Sequence, residues 1–518
     1  MASTTDWRGT TVSFGYDANS NLVGETFPAA SGEVDSFTYN NVDVMLTAQH
    51  NKASTALAAF TYTRDEANRV KTQSTTVISE PAQTFGYTDN AELNRAGATA
   101  TPTAFAYDAA GQLTARGNAS TQTYDAAGQL CWATTTNVSS PSCTAPPTGA
   151  AKFTFDASGN RTKRTESSGT STSYAYDDNG YLKTYTPSSG GATTYKTDAD
   201  GRRVSKTAGG VTTKWAWDTT AGLDALLYDG STSYVYGPGG RVVTVVPDAG
   251  TSRYLHQDQL GSTRLVTAQN GSTLATYTYD AYGSVTAKTG TATTPIGYAG
   301  QYTDAESGLI YMRARMYDPV TGQFMSRDPL AGLSGQPYGY ANGDPANSID
   351  PSGQFFWLIP MAMEAMALAT EATVLMAEAA ETAAVMAEAA EGAAMAAEAG
   401  EAAAAAAESE ACLGEIVNSD IDFALQQMTR GGRATSREID DFASRSGLTR
   451  SQSANGPIKY TDENGVTRVT IKQGSSRAPG SGDPHVELRN SSGQRVDSYG
   501  NPVTRRSPGN HQTIQWNH

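Results

Sequence analysis

The chain has 518 residues, ample for several domains, with only 17% charged residues but 51 glycines and 26 tyrosines. That mixture suits many short strands joined by tight turns and argues against a helical enzyme over about the first 350 residues. The net charge of −15 works against nucleic-acid binding by the chain as a whole, yet it is unevenly spread: residues 354–411 hold ten Glu and no Lys or Arg, whereas 429–518 hold thirteen Lys plus Arg against eight Asp plus Glu. The C-terminal stretch therefore reads as a basic module on an acidic carrier, and an anionic substrate belongs there.

Residues 1–10 are polar, with neither a basic start nor an apolar stretch, so no signal peptide is expected. The chain reads as the C-terminal part of a longer product, or as one moved by another system. No run of eighteen uncharged apolar residues predicts a spanning helix. Three cysteines make no disulfide framework; Cys131 and Cys143 flank a Pro/Ser/Thr-rich loop and either pair or stay free, with Cys412 left over.

Residues 1–300 repeat loosely, as in FAYDAAGQL at Phe105, FTFDASGNR at Phe153, YAYDDNGYL at Tyr174 and YTYDAYGSV at Tyr277. Each copy is an aromatic alternation, an Asp, a Gly-centred turn and a second strand containing Arg, Leu or Val. Period-two alternation predicts a half-buried strand and D-x-x-G a turn, so each unit predicts a β-hairpin. A lone hairpin buries neither face well, so the units are expected to stack edge to edge into a long, curling sheet. The tyrosines are expected to pack on its inner face, each hydroxyl bonding to a neighbouring turn; a carbohydrate-stacking surface is the other reading.

Residues 301–354 differ. They contain Tyr317, Asp318, Pro319, Thr321, Gly322 and Phe324, then two Asp-Pro steps, Asp328-Pro329 and Asp350-Pro351. This pattern resembles the core of rearrangement-hotspot (RHS), or YD-repeat, proteins, in which YDPxTGxF precedes two DPxG tetrapeptides. The resemblance reaches back over the repeats to about residue 10. It implies a sheet wrapped as a shell around the C-terminal segment, although this length suggests an incomplete wall or a fragment. It also implies that Asp328 and Asp350 form an internal aspartyl protease, assisted by Arg315, which cuts just after the second DPxG, near Gln354 and Phe355. Two aspartates brought together share one proton, so one acts as base and the other as acid. Ala331 stands where the family has Gly, and Gln354 where it commonly has Leu. Without catalysis the Asp-Pro pairs would simply form turns, as Asp318-Pro319 and Asp344-Pro345 are expected to do.

Residues 355–411 predict an Ala/Glu/Met-rich long helix. Its Glu stripe winds round the axis, which suits either a spacer or a helix that contacts a membrane. Residues 412–518 predict short helices followed by two hairpins, a small α+β module whose strongest turn signal is Asn464-Gly465. Around His485, His511 and His518 cluster Lys472, Arg489, Arg495, Arg505, Arg506, Ser507 and Thr513. No HExxH or Cys-x-x-Cys is present, so neither metal nor cofactor is expected.

A metal-free phosphodiester cleavage needs a base, an acid and cations, and RNA supplies its own nucleophile, the 2′-OH. The tail loosely resembles the small ribonuclease toxins that follow RHS cores, the colicin-type and EndoU-type group. On that reading His485 and His511 are base and acid in either order, and Arg506, Arg489, Arg505 and Lys472 hold phosphate. Ser507 or Thr513 would donate further. The expected whole is mainly β: a YD-repeat shell (1–300), a self-cleaving core (301–354), the helix (355–411) and a ribonuclease warhead (412–518). It would be secreted or surface-delivered for interbacterial competition, and the warhead would act in the target cytoplasm. Its implied partners are RNA, a cognate immunity protein, a secretion apparatus or the rest of the shell. The rivals are an extracellular YD-repeat binding protein with an inert tail and a toxin whose tail is a DNase or deaminase.

Overall fold

Each repeat closes as a hairpin because its Asp satisfies the turn. In the copy at Phe105, strands Thr103–Tyr107 and Leu113–Arg116 pair antiparallel. The Asp108 amide donates to the Gln112 carbonyl, the Gly111 amide donates to the Asp108 carbonyl, and Asp108 Oδ1 accepts the amides of Ala110 and Gln112. The fourth turn residue, Gly111, has φ 73°, which a residue lacking Cβ adopts without strain. The resulting register slip falls at the tyrosine, between Ala106 and Tyr107, as in a three-residue loop with a bulge. The same bonds recur at Asp17, Asp125, Asp156, Asp198 and Asp280.

The tyrosines join one hairpin to the next. The hydroxyl of Tyr39 donates to the Leu22 carbonyl at 2.8 Å, Tyr87 to Val70 at 2.7 Å, Tyr107 to Leu93 at 3.0 Å, Tyr176 to Arg161 at 2.9 Å and Tyr279 to Thr263 at 3.1 Å. Each acceptor lies at the start of the second strand of the preceding hairpin, where the turn has just ended. Trp217 Nε1 does the same to the Arg203 carbonyl at 2.8 Å.

The computed structural model describes residues 1–354 except 77, 221–222, 329–330 and 332–335, then 357–358 and, further on, 425, 429, 435–446, 448–453, 456–462, 464–474, 482–490, 492–497, 502–505, 507, 510–514 and 516. The Ala/Glu/Met-rich segment lies outside them. Two compact units are present, Met1–Thr382 and Ala383–His518. Among the described residues no helix is long and apolar enough to cross a membrane.

In the first unit the hairpins form sheets of 11, 9 and 8 strands, each in strict sequence order. The edge-to-edge stacking is as expected, but the ladder is interrupted after Arg116 and again after Lys214. At the first interruption side chains make the bridge: Gln122 Nε2 and the Tyr124 hydroxyl both donate to the Leu113 carbonyl at 2.7 Å. The first sheet also meets the third, with Arg8 donating to the carbonyls of Pro247 and Gly250 and Phe27 packed 5.0 Å from Tyr254. Cys131 and Cys143 are joined as a disulfide, which resolves the pairing that the sequence leaves open.

A small four-stranded sheet, from Tyr302 to Phe324, packs against all three. Phe105 and Leu113 of the first sheet share a core with Tyr317 and Phe324, Val245 and Leu255 of the third share one with Tyr302, Tyr311 and Met316, and Arg161 and Arg203 of the second bind Asp318 and Asp304. In the second unit, helix Ser436–Arg445 accompanies an antiparallel sheet running from Thr449–Ser451 through Ile458–Thr461, Thr467–Lys472 and His485–Arg489 to Arg495–Val496, with Gln512–Thr513 also paired to His485–Arg489. Its core includes Leu425, Ile439, Tyr460, Val469, Val486 and Ile514.

The Arg203–Asp304 pair tests how the small sheet is held. Both side chains are buried, Arg203 Nη1 is 2.9 Å from both carboxylate oxygens, and the guanidinium lies 4.0 Å from the Tyr195 ring and 4.4 Å from that of Tyr311. Arg203→Ala leaves Asp304 with Lys206, 3.7 Å away, as its remaining cation among the described residues. It is expected to lower stability by about 3–5 kcal/mol, read from the denaturant midpoint, with Asp304→Ala costing a similar amount.

Candidate functional site

Strand Arg315–Asp318 turns Arg315 inward, and the loops on either side bring it two carboxylates. Arg315 Nη2 lies 3.2 Å from Asp328 Oδ2 and 3.4 Å from Asp350 Oδ2. All three side chains are at most 5% exposed. The guanidinium carbon sits 3.6 Å from the Phe324 ring centroid, a cation–π stack that fixes its plane. Burial pulls Arg315 below its ordinary value, while the carboxylates oppose that pull. Burial likewise pushes the Asp350 carboxyl above the usual carboxylate range, against the attraction of Arg315, with Asp328 adding to the rise. These are the conditions under which a carboxyl pair holds one proton.

The turn after Asp350 presents a backbone carbonyl to the same group. Asp350 Oδ1 accepts the Gly353 amide at 2.8 Å and the Ser352 hydroxyl at 3.1 Å, and Arg315 Nε donates to the Gly353 carbonyl oxygen. Gly353 has φ 71°, and a Cβ there would stand 2.2 Å from the Met312 carbonyl oxygen, so no other residue fits. The carbonyl in Arg315's grasp thus belongs to the Gly353–Gln354 bond, one bond before the step at Gln354 and Phe355 that the resemblance indicates. Gln354 is exposed and its amide donates to Ser352 Oγ at 3.2 Å; Phe355 lies outside the described residues. Asp318 serves Arg161 and the turn at Val320, and Asp344 serves Asn347, so the other two Asp-Pro steps are structural.

In the second unit the sheet brings together His485 and His511. Their ring centroids are 4.8 Å apart and nearly perpendicular, at 88°. His485 Nδ1 lies 2.9 Å from the Asp483 carbonyl oxygen, fixing it as the protonated nitrogen. His485 Nε2 and both nitrogens of His511 make no hydrogen bond among the described residues, although both rings are buried. Glu487, two residues along the strand and so on the same face as His485, has Oε1 3.5 Å from His511 Nδ1. Its two oxygens are taken by Lys472 and by Arg495, the latter at 3.0 Å. Burial holds His511 below the ordinary imidazole value, His485 and Lys472 push the same way, and Glu487 opposes.

Of the other predicted residues, Lys472 stands directly opposite His485 in the ladder and Thr513 is its partner on the other side, although Thr513 is exposed. Arg489 is spent on the Gly493 carbonyl of its own hairpin. Arg505 is exposed, Ser507 closes a turn with Thr504 and Asn510, and Arg506 and His518 lie outside the described residues. Glu487 and Asn510 were not singled out from the sequence. Alternation in HVELR marks Glu487 as a neighbour of His485; nothing local marks Asn510, which meets Arg495 at 3.1 Å.

His485, Glu487 and His511 offer three donor atoms within 4.8 Å of one another, a spacing a metal would accept. A carboxylate already neutralised by a lysine and an arginine is a poor ligand for a cation, however, so the trio fits proton transfer better. His511 is expected to titrate below the ordinary imidazole pKa, and Glu487→Gln to lower it further by removing the anion beside it. Histidine NMR signals followed against pH measure both.

Residues 57–333 match the family model described as Teneurin YD-shell, over half of the chain. Among curated relatives, the tRNA3(Ser)-specific nuclease WapA of Bacillus spizizenii is 33% identical over 172 residues, covering 31% of this chain and 7% of that protein. The toxin protein Tse5 of Pseudomonas aeruginosa is 36% identical over 118 residues, covering 22% and 9%. The double-stranded DNA deaminase toxin A of Burkholderia cenocepacia is 30% identical over 188 residues, covering 30% and 13%. The chain thus spans a small part of the length of these relatives, and they are named for different activities. What the hairpin repeats, the DPxG core and the family match establish together is the carrier: the chain belongs to the YD-shell family, the RHS/YD-repeat proteins.

Proposed function

We propose that this chain is the C-terminal part of an RHS-family toxin used between bacteria, which frees its own tail, and that the tail is a metal-independent ribonuclease. The observation that carries the reading is the pair of facing imidazoles, His485 and His511, with His485 Nε2 and both nitrogens of His511 free of hydrogen bonds among the described residues, beside Lys472 and Arg495. Among the relatives the tRNA3(Ser)-specific nuclease WapA is named for this class of activity and the deaminase toxin for another.

In the cleavage step His511, held neutral by its surroundings, takes the proton of a ribose 2′-OH. The 2′-oxygen attacks phosphorus, the bond to the 5′-oxygen breaks, and protonated His485 gives its Nε2 proton to the leaving oxygen. A 2′,3′-cyclic phosphate and a 5′-hydroxyl result. Lys472 and Arg495 add positive charge, and Glu487 orients both and lies against His511. DNA lacks the nucleophile this route requires.

Release of the tail follows from the core. With one proton shared by Asp328 and Asp350, the ionised member activates a water molecule against the carbonyl that Arg315 polarises, and the protonated member donates to the departing amide nitrogen. An immunity protein covering the tail in the producer, and a secretion apparatus or further shell segments, belong to the same reading. A second reading rests on the burial of both histidines: the pair packs the core of the tail without catalysis.

With total RNA and the purified chain, cleavage to cyclic-phosphate ends is expected to persist in a chelator and to fall about 10²–10⁴-fold in His511→Ala and His485→Ala. Folded wild-type protein that leaves RNA intact selects the packing reading. In Asp328→Asn and Asp350→Asn the chain is expected to remain full length on a denaturing gel. Wild type should yield a fragment whose mass gives the cut as Gly353–Gln354 or the next bond. Because burial extends Asp350's proton toward neutral pH, processing is expected to fade as pH rises and the shared proton is lost.

A further inference from the structure

The strand Glu33–Tyr39 is built the wrong way round for its sheet. Its burial alternates so that Glu33, Asp35 and Phe37 point inward, while Val34 stands 43% exposed. A shift of one residue would exchange the two sets, yet the tyrosine-capped hairpin fixes this register, with Glu25 opposite Asp35 on one side and His50 opposite it on the other. Glu25, Asp35 and His50 therefore form one inward row across adjacent strands of the first sheet, and each is 0% exposed.

From the third sheet, His256 meets that row, also at 0% exposure. Its Nδ1 lies 2.9 Å from Asp35 Oδ2, and His50 Nδ1 lies 2.9 Å from the same oxygen. The two imidazole centroids are 5.3 Å apart. On its far side His256 Nε2 meets Thr267 Oγ1 at 3.1 Å and Glu33 Oε1 at 3.2 Å. His50 Nε2, Glu33 Oε2 and both oxygens of Glu25 make no hydrogen bond among the described residues. Burying such groups without a partner is unfavourable. Arg241, 3.5 Å from Glu25, is the cation bound at the edge of the cluster.

We propose that Asp35, His50 and His256 form a buried binding site for one divalent transition-metal ion of the zinc type, which ties the first sheet to the third. Nδ1 of both histidines and a carboxylate oxygen of Asp35 are the ligands, all within 4.8 Å of one another. Donors about 2.0–2.2 Å from a tetrahedral zinc stand roughly 3.3 Å apart; the two nitrogen–oxygen separations of 2.9 Å lie near that value. Glu33 and Thr267 then accept from His256 Nε2–H, the second hydrogen bond that orients a metal-bound imidazole. Two nitrogens and one carboxylate favour zinc over calcium or magnesium, which prefer all-oxygen sites. The ion enters as the sheets come together, since the finished site is closed to solvent, and so it adds to folding stability.

The test uses the full chain, purified from zinc-supplemented cells and passed through a desalting column before elemental analysis. About one zinc per chain is expected, unchanged in His485→Ala, which controls for the tail, and reduced at least ~10-fold in His50→Gln and Asp35→Asn. Should those variants fail to fold, wild type alone decides: chain unfolded with chelator and refolded with zinc should melt higher than chain refolded without it. Refolding with cobalt(II) should give the visible absorption of a tetrahedral site. Absence of stoichiometric metal, with a melting temperature indifferent to zinc, overturns the proposal and leaves a proton-held His256–Asp35 pair. Full zinc retention in folded His50→Gln and Asp35→Asn overturns it equally.

Discussion

An arginine turned into a sheet core must find a carboxylate, because a guanidinium buried without one is among the costliest groups a protein can hold. The wall repeats place arginines at that position, and the small central sheet supplies the acids. Arg161 reaches Asp318 at 2.7 Å, and Arg203 reaches Asp304 at 2.9 Å. Arg264, within the third sheet, binds Asp258 of its own hairpin and Glu80 of the first. These pairs specify position more than they add stability: hydrophobic side chains would pack as well, but they would not fix which strand stands against which. The Arg315 cluster inherits that placement, since Asp318 ends the strand that begins with Arg315.

The hairpin units were legible because their determinants are local. Asp108 bonds residues two and four places on, and Gly111 supplies the positive φ, so D-x-x-G carries its own geometry. The inward tyrosines followed from period-two alternation. Asp328, Asp350 and Arg315 were identified by resemblance to a family, and His485 with His511 by residue type; the structure brings each set together. What escaped depends on register. HVELR places Glu487 beside His485, but only the ladder shows that Lys472 and Arg495 converge on it. The row of Glu25, Asp35 and His50 escaped for a stronger reason: in EVDSF the apolar and charged residues alternate, and the usual rule turns Val34 inward. The interruptions of the long sheet and the Cys131–Cys143 bond likewise depend on how distant segments pack.

Charge balance separates three of the titratable clusters and shows what each is suited to hold. At Arg315 two carboxylates face one cation, an excess of one negative charge that a single proton cancels, and a shared proton is what acid–base cleavage requires. At Glu487 one carboxylate faces Lys472 and Arg495, an excess of one positive charge beside two imidazoles, which suits a phosphate better than a cation. At Asp35 three carboxylates, counting Glu25 and Glu33, face only Arg241, so two positive charges are wanting. Protons can supply them: burial pushes Glu25 up to about 7, while His256, despite burial, is pushed up to about 10 by Asp35 and Glu33. A divalent ion supplies both charges at once and bonds His50 as well as His256. The three clusters thus suit a proton, an anion and a cation, and their difference lies in the count of fixed charges rather than in the elements that carry them.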